Sequence, residues 1–587
     1  MAPSRTSRAI GVCALALTFN LAGWGQSGNE GSIEGIVTDP AGAVVPGVAL
    51  KLTNVYTSAT FTTTTNETGL FRFPVASVGT YELVAGRAGF AVLVQKDIVV
   101  TVGARINLRL VLKVAGKVES VVVGGDPPLV ESIRSQVSTT VNAHSVASLP
   151  TNGRNFLDFV LLTPGVTRGA RGFDLSFAGE RKMSLVRLDG ADNDNTFFGE
   201  VLGVSGSGTA PYQISLVTVQ EFQVNTSSYS AEIGRSGGGV VDVVTKSETN
   251  DFHGTSFWYY RDRSMNATDL INKLNRDPKS PFHFHQFGGA LGGPVVKDTL
   301  FFFATYDGQR STEQNVVRLN LPAGFQLSSD AVVAGFQQRA LEYLTARTAP
   351  WIRTFNQNVY FARLDWRTRP AHLWTWRWNR QRFVGEGNEN RGPQNSIEHT
   401  GESISNTDTL GVSLSSTLST SMVNVARFSY VGSKEPGFAN SSNPEANILE
   451  GGLLVLAIGR NPISPRENAI QRFQWFDALS YSRGRHLFKF GADVLSDRIA
   501  FFTAVNFWGS YRFGSLESFG RNLAGSTVLA KGESYLQAFS GEGKPGVRTR
   551  PDFVEFGGFL QDEWRVASRL TFNLGCATMC RLLPNPR

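Results

Sequence analysis

The sequence contains very little sulfur. Of its 587 residues only three are cysteines, namely Cys13, Cys576 and Cys580, and only five are methionines. Three cysteines cannot form a disulfide framework, and no Cys/His group has the spacing of zinc ligands, so small disulfide-stapled folds and zinc-ribbon proteins are excluded. Glycine (61 residues) and phenylalanine (41 residues) are abundant instead. Glycine together with aromatic residues favours a β-rich fold.

The sequence also lacks any block of like charge. Its 56 basic and 49 acidic residues are spread through the chain and give a net charge of +7. Nucleic acid is therefore not an expected partner. With 41% hydrophobic and 18% charged residues, the chain has the composition of a folded protein and can bury a large core.

Only the N-terminus carries a long apolar run. Arg5 and Arg8 precede the apolar residues Ala9–Ala22, and small residues follow. This order predicts a secretory signal peptide at residues 1–25. A single membrane anchor is the weaker alternative, because a spanning helix needs about 18 apolar residues or more. Since no second long apolar run follows, membrane insertion would have to use β-strands, in which lipid-facing and inward-facing residues alternate.

Residues 26–117 have the pattern of a small β-sandwich. Strand candidates such as Ile33–Val37 and Val48–Thr53 are separated by turn residues, and Ile106–Val114 alternates apolar with mostly polar side chains. About seven strands of this kind fit the segment. Four motifs resemble the carboxypeptidase regulatory-like domain, a transthyretin-like sandwich: Gly35–Asp39, Pro46–Val48, Thr68–Phe73 and Gly79–Leu83. The resemblance implies an appended domain without an active site.

Residues 118–128 connect this unit to the next and begin with a β-prone run. The run consists of Val118, Glu119, Ser120, Val121, Val122 and Val123, and Gly-Gly-Asp and two prolines follow it. Two interpretations stay open. The run is either a last strand of the sandwich or an extended peptide that adds to the sheet edge of a partner protein.

Residues 129–250 mix helical and strand patterns and predict a compact α+β unit. Short helices are predicted at Ser145–Leu149 and Arg154–Leu162, and strands at Leu185–Leu188, Gln220–Asn225 and Val240–Thr245. Five motifs occur here in a fixed order: Leu149–Leu157, Leu161–Val166, Leu188–Asp192, Val219–Val224 and Tyr229–Lys246. They resemble the plug domain of TonB-dependent outer-membrane receptors of the Oar-like branch.

The resemblance implies a set of partners. A TonB-type energy-coupling protein would dock on a TonB box, for which Val118–Val123 is the candidate. Outer-membrane lipid would surround the barrel. The imported substrate would be a siderophore, cobalamin, a carbohydrate or a larger cargo, and no cofactor is implied.

Residues 251–575 have the pattern of membrane β-strands with one apolar and one polar face. Trp374, Trp376 and Trp378 alternate with polar residues, which places the three indoles on one face, either lipid or the interfacial aromatic girdle. Stretches such as Glu386–Asn406 and Ser515–Pro551 suit long polar loops. Four motifs extend the family resemblance: Asn250–Phe257, Gln286–Pro294, Phe556–Arg565 and Leu570–Gly575. About a dozen of the roughly 22 strands of an outer-membrane transporter fit this segment.

Residues 576–587 depart from the family. Alternation is expected to stop at Cys576, and two prolines close the tail. We expect an aberrant tail and a truncated or frameshifted copy. An open sheet in lipid would leave backbone groups unpaired at several kcal/mol each, so an incomplete barrel would not be stable alone.

Three patterns suggest other chemistry, and each has a simpler explanation. Gly234–Gly238 matches a hydrolase nucleophile elbow, but a β-rich run follows it where the elbow needs a helix. His283 and His285 would share a strand face without a nearby carboxylate. The acidic residues of Asp189–Asn195 lack the spacing of a calcium loop and favour a turn. No catalytic or metal site is predicted.

The predicted fold class is mainly β: an N-terminal transthyretin-like β-sandwich, an α+β plug, and antiparallel transmembrane β-barrel strands that form an incomplete barrel. The predicted function is energy-coupled uptake through the outer membrane of a Gram-negative cell, without enzymatic activity. The alternative is a surface adhesin or an outer-membrane assembly protein without transport activity.

Overall fold

Four units make up the fold: a sandwich, a plug, a wall of long membrane strands, and a cap. The structure is a computed structural model that describes residues 30–115, 120–123, 137–149, 151–168, 175–181, 185–196, 198–203, 210–526, 533–539, 548–567 and 570–583. The predicted signal peptide at residues 1–25 lies outside the described residues. The mainly β fold class is confirmed.

The sandwich contains the seven predicted strands and an eighth. They are β1 Gly31–Thr38, β2 Ala49–Asn54, β3 Thr60–Thr64, β4 Leu70–Ala76, β5 Gly79–Gly86, β6 Val92–Val100, β7 Arg105–Val111 and β8 Ser120–Val123. Two sheets, in the orders β4-β1-β7 and β3-β2-β5-β6-β8, face each other. Alternating apolar residues from both sheets, among them Ile33, Leu52 and Leu83, form one buried core.

The plug is the α+β unit between Val137 and Thr245. Its strands are β9 Val137–Val141, β10 Val166–Arg168, β11 Leu175–Phe177, β12 Glu180–Arg181, β13 Leu185–Leu188, β14 Ala191–Asp192, β15 Asp194–Asn195, β16 Glu200–Val201, β17 Val219–Ser227 and β18 Val240–Thr245. Its helices are α1 Ala143–Ser148 and α2 Leu157–Val160, with 3-10 turns at Asn152–Arg154 and Leu216–Thr218. The central sheet has the order β14-β13-β18-β17-β9. Both predicted helices and all three predicted strands are present.

The wall is a 12-stranded sheet. Its long strands are β19 His253–Asp262, β20 Phe282–Val296, β21 Leu300–Asn315, β22 Trp351–Arg369, β23 His372–Glu389, β24 Gly401–Ser419, β25 Met422–Ala439, β28 Arg466–Arg483, β29 His486–Thr503, β33 Phe553–Ala567 and β34 Leu570–Leu582, and the short β32 Arg548–Thr549 pairs with β29. All pairings are antiparallel. Within the described residues β19 and β34 are the two edges of the sheet, so the expected dozen strands are present and the sheet is open.

The two faces of the wall differ as the alternation predicts. Trp374 and Trp376 stack on the outer face with ring centroids 5.6 Å apart, and Trp378 is 38% exposed. The residues that follow Trp376 and Trp378, namely Arg377 and Asn379, are buried on the inner face. The tryptophan row therefore faces outward, and the inner face is polar.

The cap lies at one end of the wall. Five of the strand connections are tight hairpins at the opposite end, hereafter the short-turn end, whereas the connections at the cap end are long. These long connections contain α3 Leu270–Leu274, α4 Ala331–Thr345, β26 Glu445–Glu450, β27 Leu453–Ile458, β30 Ser510–Phe513, α5 Leu516–Leu523 and β31 Ser534–Leu536, with 3-10 turns at Arg263–Met265 and Ile397–His399. No helix in the described part of the chain has the length and hydropathy needed to span a membrane.

The cap has its own apolar core, which corrects the expectation of polar loops. Ile448, Leu456, Phe513 and Phe519 are buried together, and the four-stranded sheet β27-β26-β30-β31 supports them. The stretch beginning at Ser515 forms α5, because its apolar residues face this core. The predicted loop from Glu386 to Asn406 is also shorter than expected, since β23 runs to Glu389 and β24 begins at Gly401.

The last wall strand extends into the segment predicted as a tail, whose residues from Leu574 to Leu582 are all exposed, and the aberrant character of the tail stays a prediction. β34 continues to Leu582, with Cys576 opposite Leu560 and Cys580 opposite Phe556 on β33. Directly opposed residues share a face, so both cysteines lie on the exposed outer face, where cysteine behaves as a small apolar residue. On the inner face Arg581 forms an ion pair with the buried Glu555.

Candidate functional site: the plug–wall interface

The plug contacts the inner face of the wall mainly through charged and amide groups. The most buried of these is Arg472 on β28, whose side chain is 0% exposed. Its guanidinium donates to both carboxylate oxygens of Asp497 on β29, at 2.8 and 2.9 Å. It also reaches the plug, where it donates to Asp194 at 3.0 Å. Thr196 of the plug adds a hydrogen bond of 2.6 Å to Asp497.

A second cluster is centred on Arg235, which lies in the glycine-rich segment of the plug. Its Nε donates to Asp192 of the plug at 2.6 Å, and its guanidinium also pairs with Asp493 of the wall. The Gln474 amide connects the same two residues, because its Oε1 accepts from the Asp192 backbone N–H at 3.0 Å and its Nε2 donates to the Asp493 carboxylate at 3.1 Å. Burial would raise the pKa of Asp192, but Arg235 and then Arg472 outweigh burial and hold that pKa below its usual value.

A third cluster joins the plug to β22 and β23 of the wall. Arg363 donates to the Thr245 carbonyl at 3.0 Å and is itself oriented by Asp365 at 2.8 Å. Asp189 accepts from the Thr245 backbone N–H at 2.9 Å, and Arg377 approaches the same carboxylate to 3.5 Å. The turn that the sequence predicts at Asp189 is present, with φ of 46° at this residue.

Amide side chains of the wall surround Tyr212 of the plug. Gln286 and Gln309 donate to its hydroxyl at 2.7 and 2.9 Å, and Gln357 and Gln381 donate to its carbonyl at 2.9 and 3.0 Å. Burial raises the pKa of Tyr212 well above its usual value, so the phenol stays neutral. Four different strands thus recognise one plug residue.

The described groups at this interface are suited to non-covalent contact. Its groups are ion pairs and amide hydrogen bonds, which water can replace when the surfaces separate. In the described part of the chain, no group of three or more His, Cys, Asp or Glu side chains is placed to hold a metal ion. His283 and His285 lie on β20, where His285 packs against Trp258.

The structure places the candidate TonB box in two parts. Val118 and Glu119 lie outside the described residues. Ser120–Val123 form β8, which pairs in parallel with Val92–Gln95 of β6. The first of the two open interpretations, a last strand of the sandwich, therefore agrees with the structure of these four residues. Their role in binding a partner stays a prediction.

Sequence reasoning did not identify the interface residues. Asp192, Asp194 and Arg235 were assigned to a turn and to a rejected hydrolase motif, and Arg472 was not singled out. One signal was present: charged residues at inward positions of apolar-outward strands, such as Asp493 between Ala492 and Val494, require a polar partner inside the sheet.

Comparison with known proteins agrees with this architecture. Residues 244–351 and 332–576 match the outer membrane beta barrel domain family, and residues 32–113 match the carboxypeptidase regulatory-like domain. The TonB-dependent transporter Oar of Myxococcus xanthus is 27% identical over 340 residues, which cover 54% of this chain and 30% of Oar. Among solved structures, the Escherichia coli outer membrane transporter YddB superposes with a TM-score of 0.53 at 13% identity, covering 76% of this chain and 56% of YddB.

This chain therefore spans about half the length of the solved transporter and less of the curated relative. The similar proteins are transporters rather than enzymes. The family match covers more than half of the chain, and the fold agrees with it. The chain belongs to the outer membrane beta barrel family, is a homologue of the TonB-dependent transporter Oar, and carries a carboxypeptidase regulatory-like domain.

Proposed function

We propose that this protein is an energy-coupled outer-membrane receptor in which the plug closes the lumen until a TonB-type protein pulls on Val118–Val123. The observation that carries the proposal is the charged plug–wall interface. An apolar interface would hold the plug permanently, whereas paired charges are close to neutral in net stability and separate into water. In this arrangement the signal peptide directs export, the short-turn end faces the periplasm, and the cap faces outward.

The closure is tested by breaking the Arg235 cluster. Cells that display Arg235→Gln in the outer membrane should become sensitive to vancomycin, which is too large to cross an intact outer membrane. Arg380→Gln is the matched control, because Arg380 lies on the wall, away from the plug, and pairs with Asp408 at an exposed position. Equal resistance of the wild type and Arg235→Gln would contradict a closing role for the plug.

The coupling role of Val118–Val123 is tested by binding. The probe is the purified periplasmic domain of a TonB-type protein, titrated against the intact chain in detergent. Val121→Pro should abolish binding because proline removes a backbone donor that strand addition needs. Val121→Thr keeps a β-branched residue and should bind like the wild type. Unchanged binding by Val121→Pro would exclude this segment as the TonB box.

The cap supports a second candidate function, a surface adhesin or assembly protein. A set of loops with its own buried core presents a rigid outer surface rather than a flexible rim. The two candidates differ in their energy requirement. An adhesin would keep its surface binding in cells without a proton-motive force and in the Val121→Pro variant. The cargo class is open between siderophores, cobalamin, carbohydrates and larger molecules.

A further inference from the structure

The sandwich contacts the plug through the turn between β6 and β7. Val102 in this turn is fully buried. Its backbone N–H donates to the carboxylate of Glu221 on β17, and its carbonyl accepts from the Gln223 side-chain amide at 3.0 Å. Gly103 follows with φ of 65°, and a Cβ there would lie 2.6 Å from Gln223 Oε1. The turn is therefore fitted to the surface of the plug.

The sandwich also forms buried ion pairs with the last hairpin of the wall. Glu34 on β1 accepts from Arg565 of β33 at 2.9 Å and from Arg72 of β4 at 2.8 Å. Arg105 on β7 pairs with Glu563, two positions away on the same inner face of β33. Glu34, Arg72 and Arg565 are each less than 10% exposed. Removing charged groups from water is unfavourable unless a well-placed group of opposite charge compensates the lost hydration. These buried ion pairs therefore indicate a specific contact.

Three further hydrogen bonds tie the sandwich to separate hairpins at the short-turn end. Arg367 donates to the Thr57 carbonyl at 3.0 Å, and Asn66 donates to the Gly484 carbonyl at 3.2 Å. Thr63 donates to the Thr420 carbonyl at 3.5 Å. The sandwich thus contacts the end of β22, the turns before β25 and β29, and the end of β33.

A cavity of about 750 Å³ lies behind this contact, between sandwich, plug and wall. Its lining includes Tyr56 and Val99 from the sandwich, Lys246 from the plug, and Arg363 and Arg427 from the wall. A molecule that passed the plug along the wall would enter this chamber and meet the sandwich as its floor.

We infer that the N-terminal sandwich is a second closure, docked across the short-turn end of the wall and onto the plug, which must undock before the chamber opens. Its role in passage rests on the proposed transport function, whereas the docking itself does not. The sandwich also holds β8 as an edge strand, so a partner that draws on this segment acts on the closure and on the plug together. This gives the regulatory-like domain a mechanical function.

Hydrogen exchange on the intact chain in detergent tests the docking. The acceptor of the Val102 N–H is Glu221, so protection of this amide reports directly on the sandwich–plug contact. Arg105→Glu should repel Glu563 and speed exchange at Val102 about tenfold or more, while amides of β5 inside the sandwich stay protected. Arg105→Lys keeps the positive charge, so the Val102 amide should stay protected in this variant. Lys96→Glu makes the same charge change at an exposed sandwich pair and should have no effect.

A steric variant keeps the test decisive if Arg105→Glu fails to fold. Gly103→Leu would push into Gln223 and should also expose Val102. Gly89→Leu is its control, because Gly89 has a similar positive φ of 88° with nothing within 4 Å of its Cβ position. Wild-type protection of Val102 in both Arg105→Glu and Gly103→Leu would overturn the docked closure. Neither result depends on vancomycin entry, so failure of this inference and failure of the transport proposal are separable.

Discussion

The core of the sandwich and the plug–wall interface are both deeply buried, but they are made of opposite chemistry. Ile33, Leu52 and Leu83 are each 0% exposed in an entirely apolar cluster. Arg472 and Asp497 are also 0% exposed, yet both are charged. Apolar burial holds a unit together in every state in which it is folded, because exposing it is always unfavourable. Paired charges hold two surfaces in one geometry and lose little when water replaces the partner.

This difference in chemistry gives the apolar cores and the charged interfaces distinct mechanical roles. The sandwich and the plug each have an apolar core of their own. Between them, and between the plug and the wall, most contacts are ionic or amide, with an apolar cluster around Leu202 and a ring contact between Phe198 and Phe501 as exceptions. We therefore expect the units to be rigid and their boundaries to be separable, which suits the proposed closure. The predictions that follow test this contrast.

The largest loss of stability is expected from Arg472→Leu. The substitution leaves Asp194 and Asp497 buried without their cation, a situation that costs about 3–5 kcal/mol. We expect thermal unfolding of the intact chain in detergent to occur at lower temperature, and the plug to become protease-sensitive before the sandwich does. The matched control is Arg472→Lys, which retains a charge but not both contacts and should be intermediate. If the plug and the sandwich became protease-sensitive together, the boundary between them would not be separable.

A smaller loss of stability, located in the sandwich, is expected from Leu52→Ala. Removing buried methyl groups from a packed apolar core costs roughly 3 kcal/mol. The loss should be confined to the sandwich, so proteolysis should begin in residues 30–115 while the plug–wall contact persists. Leu418→Ala, at a position that is 52% exposed on the wall, is the control and should leave stability unchanged. If Leu52→Ala released the plug first, the two regions would not be independent.

The sequence predicts local structure and misses the contacts between units that are distant along the chain. Alternation of apolar and polar residues correctly predicts the sandwich strands, the short plug elements and the outward tryptophans, because each pattern is read within one strand. Arg235 and Arg472 each have a partner that is distant along the chain: Arg235 and Asp493 are separated by 258 positions, and Arg472 and Asp194 by 278. No single-strand pattern specifies such a pair.

The tail shows a related limit. The sequence pattern does not predict a strand beyond Gly575, yet the backbone pairing of β33 and β34 continues through Cys576 and Cys580. The cap was missed for a related reason. Its core residues, such as Ile448 and Phe519, come from different loops, and each loop alone is too polar to predict a core.

The contact between sandwich and plug should depend on pH through Glu221. Burial raises the pKa of this carboxyl to about 7, above its usual value of 4.5. A raised pKa in the docked state stabilises docking below pH 4.5, and this contribution is lost as the pH rises through 7, an effect of roughly 2–3 kcal/mol. Glu221→Gln keeps an oxygen acceptor for Val102 and does not titrate. The midpoint temperature of unfolding should therefore be equal for the two proteins at pH 4, where Glu221 is mostly protonated in both states, and higher for Glu221→Gln at pH 8.

The smallest change in the free energy of unfolding is expected at an exposed ion pair. Lys96 and Glu82 approach to 3.8 Å on the sandwich surface, with side chains 51% and 36% exposed. Water screens such a pair, so Lys96→Ala should change the free energy of unfolding by less than about 0.5 kcal/mol. Arg472 and Lys96 carry the same charge and both face carboxylates, but only Arg472 is buried, so the two losses of stability contrast a buried cation with an exposed one. A Lys96→Ala loss as large as that of Arg472→Leu would mean that charge, rather than its removal from water, sets the strength of the plug contact.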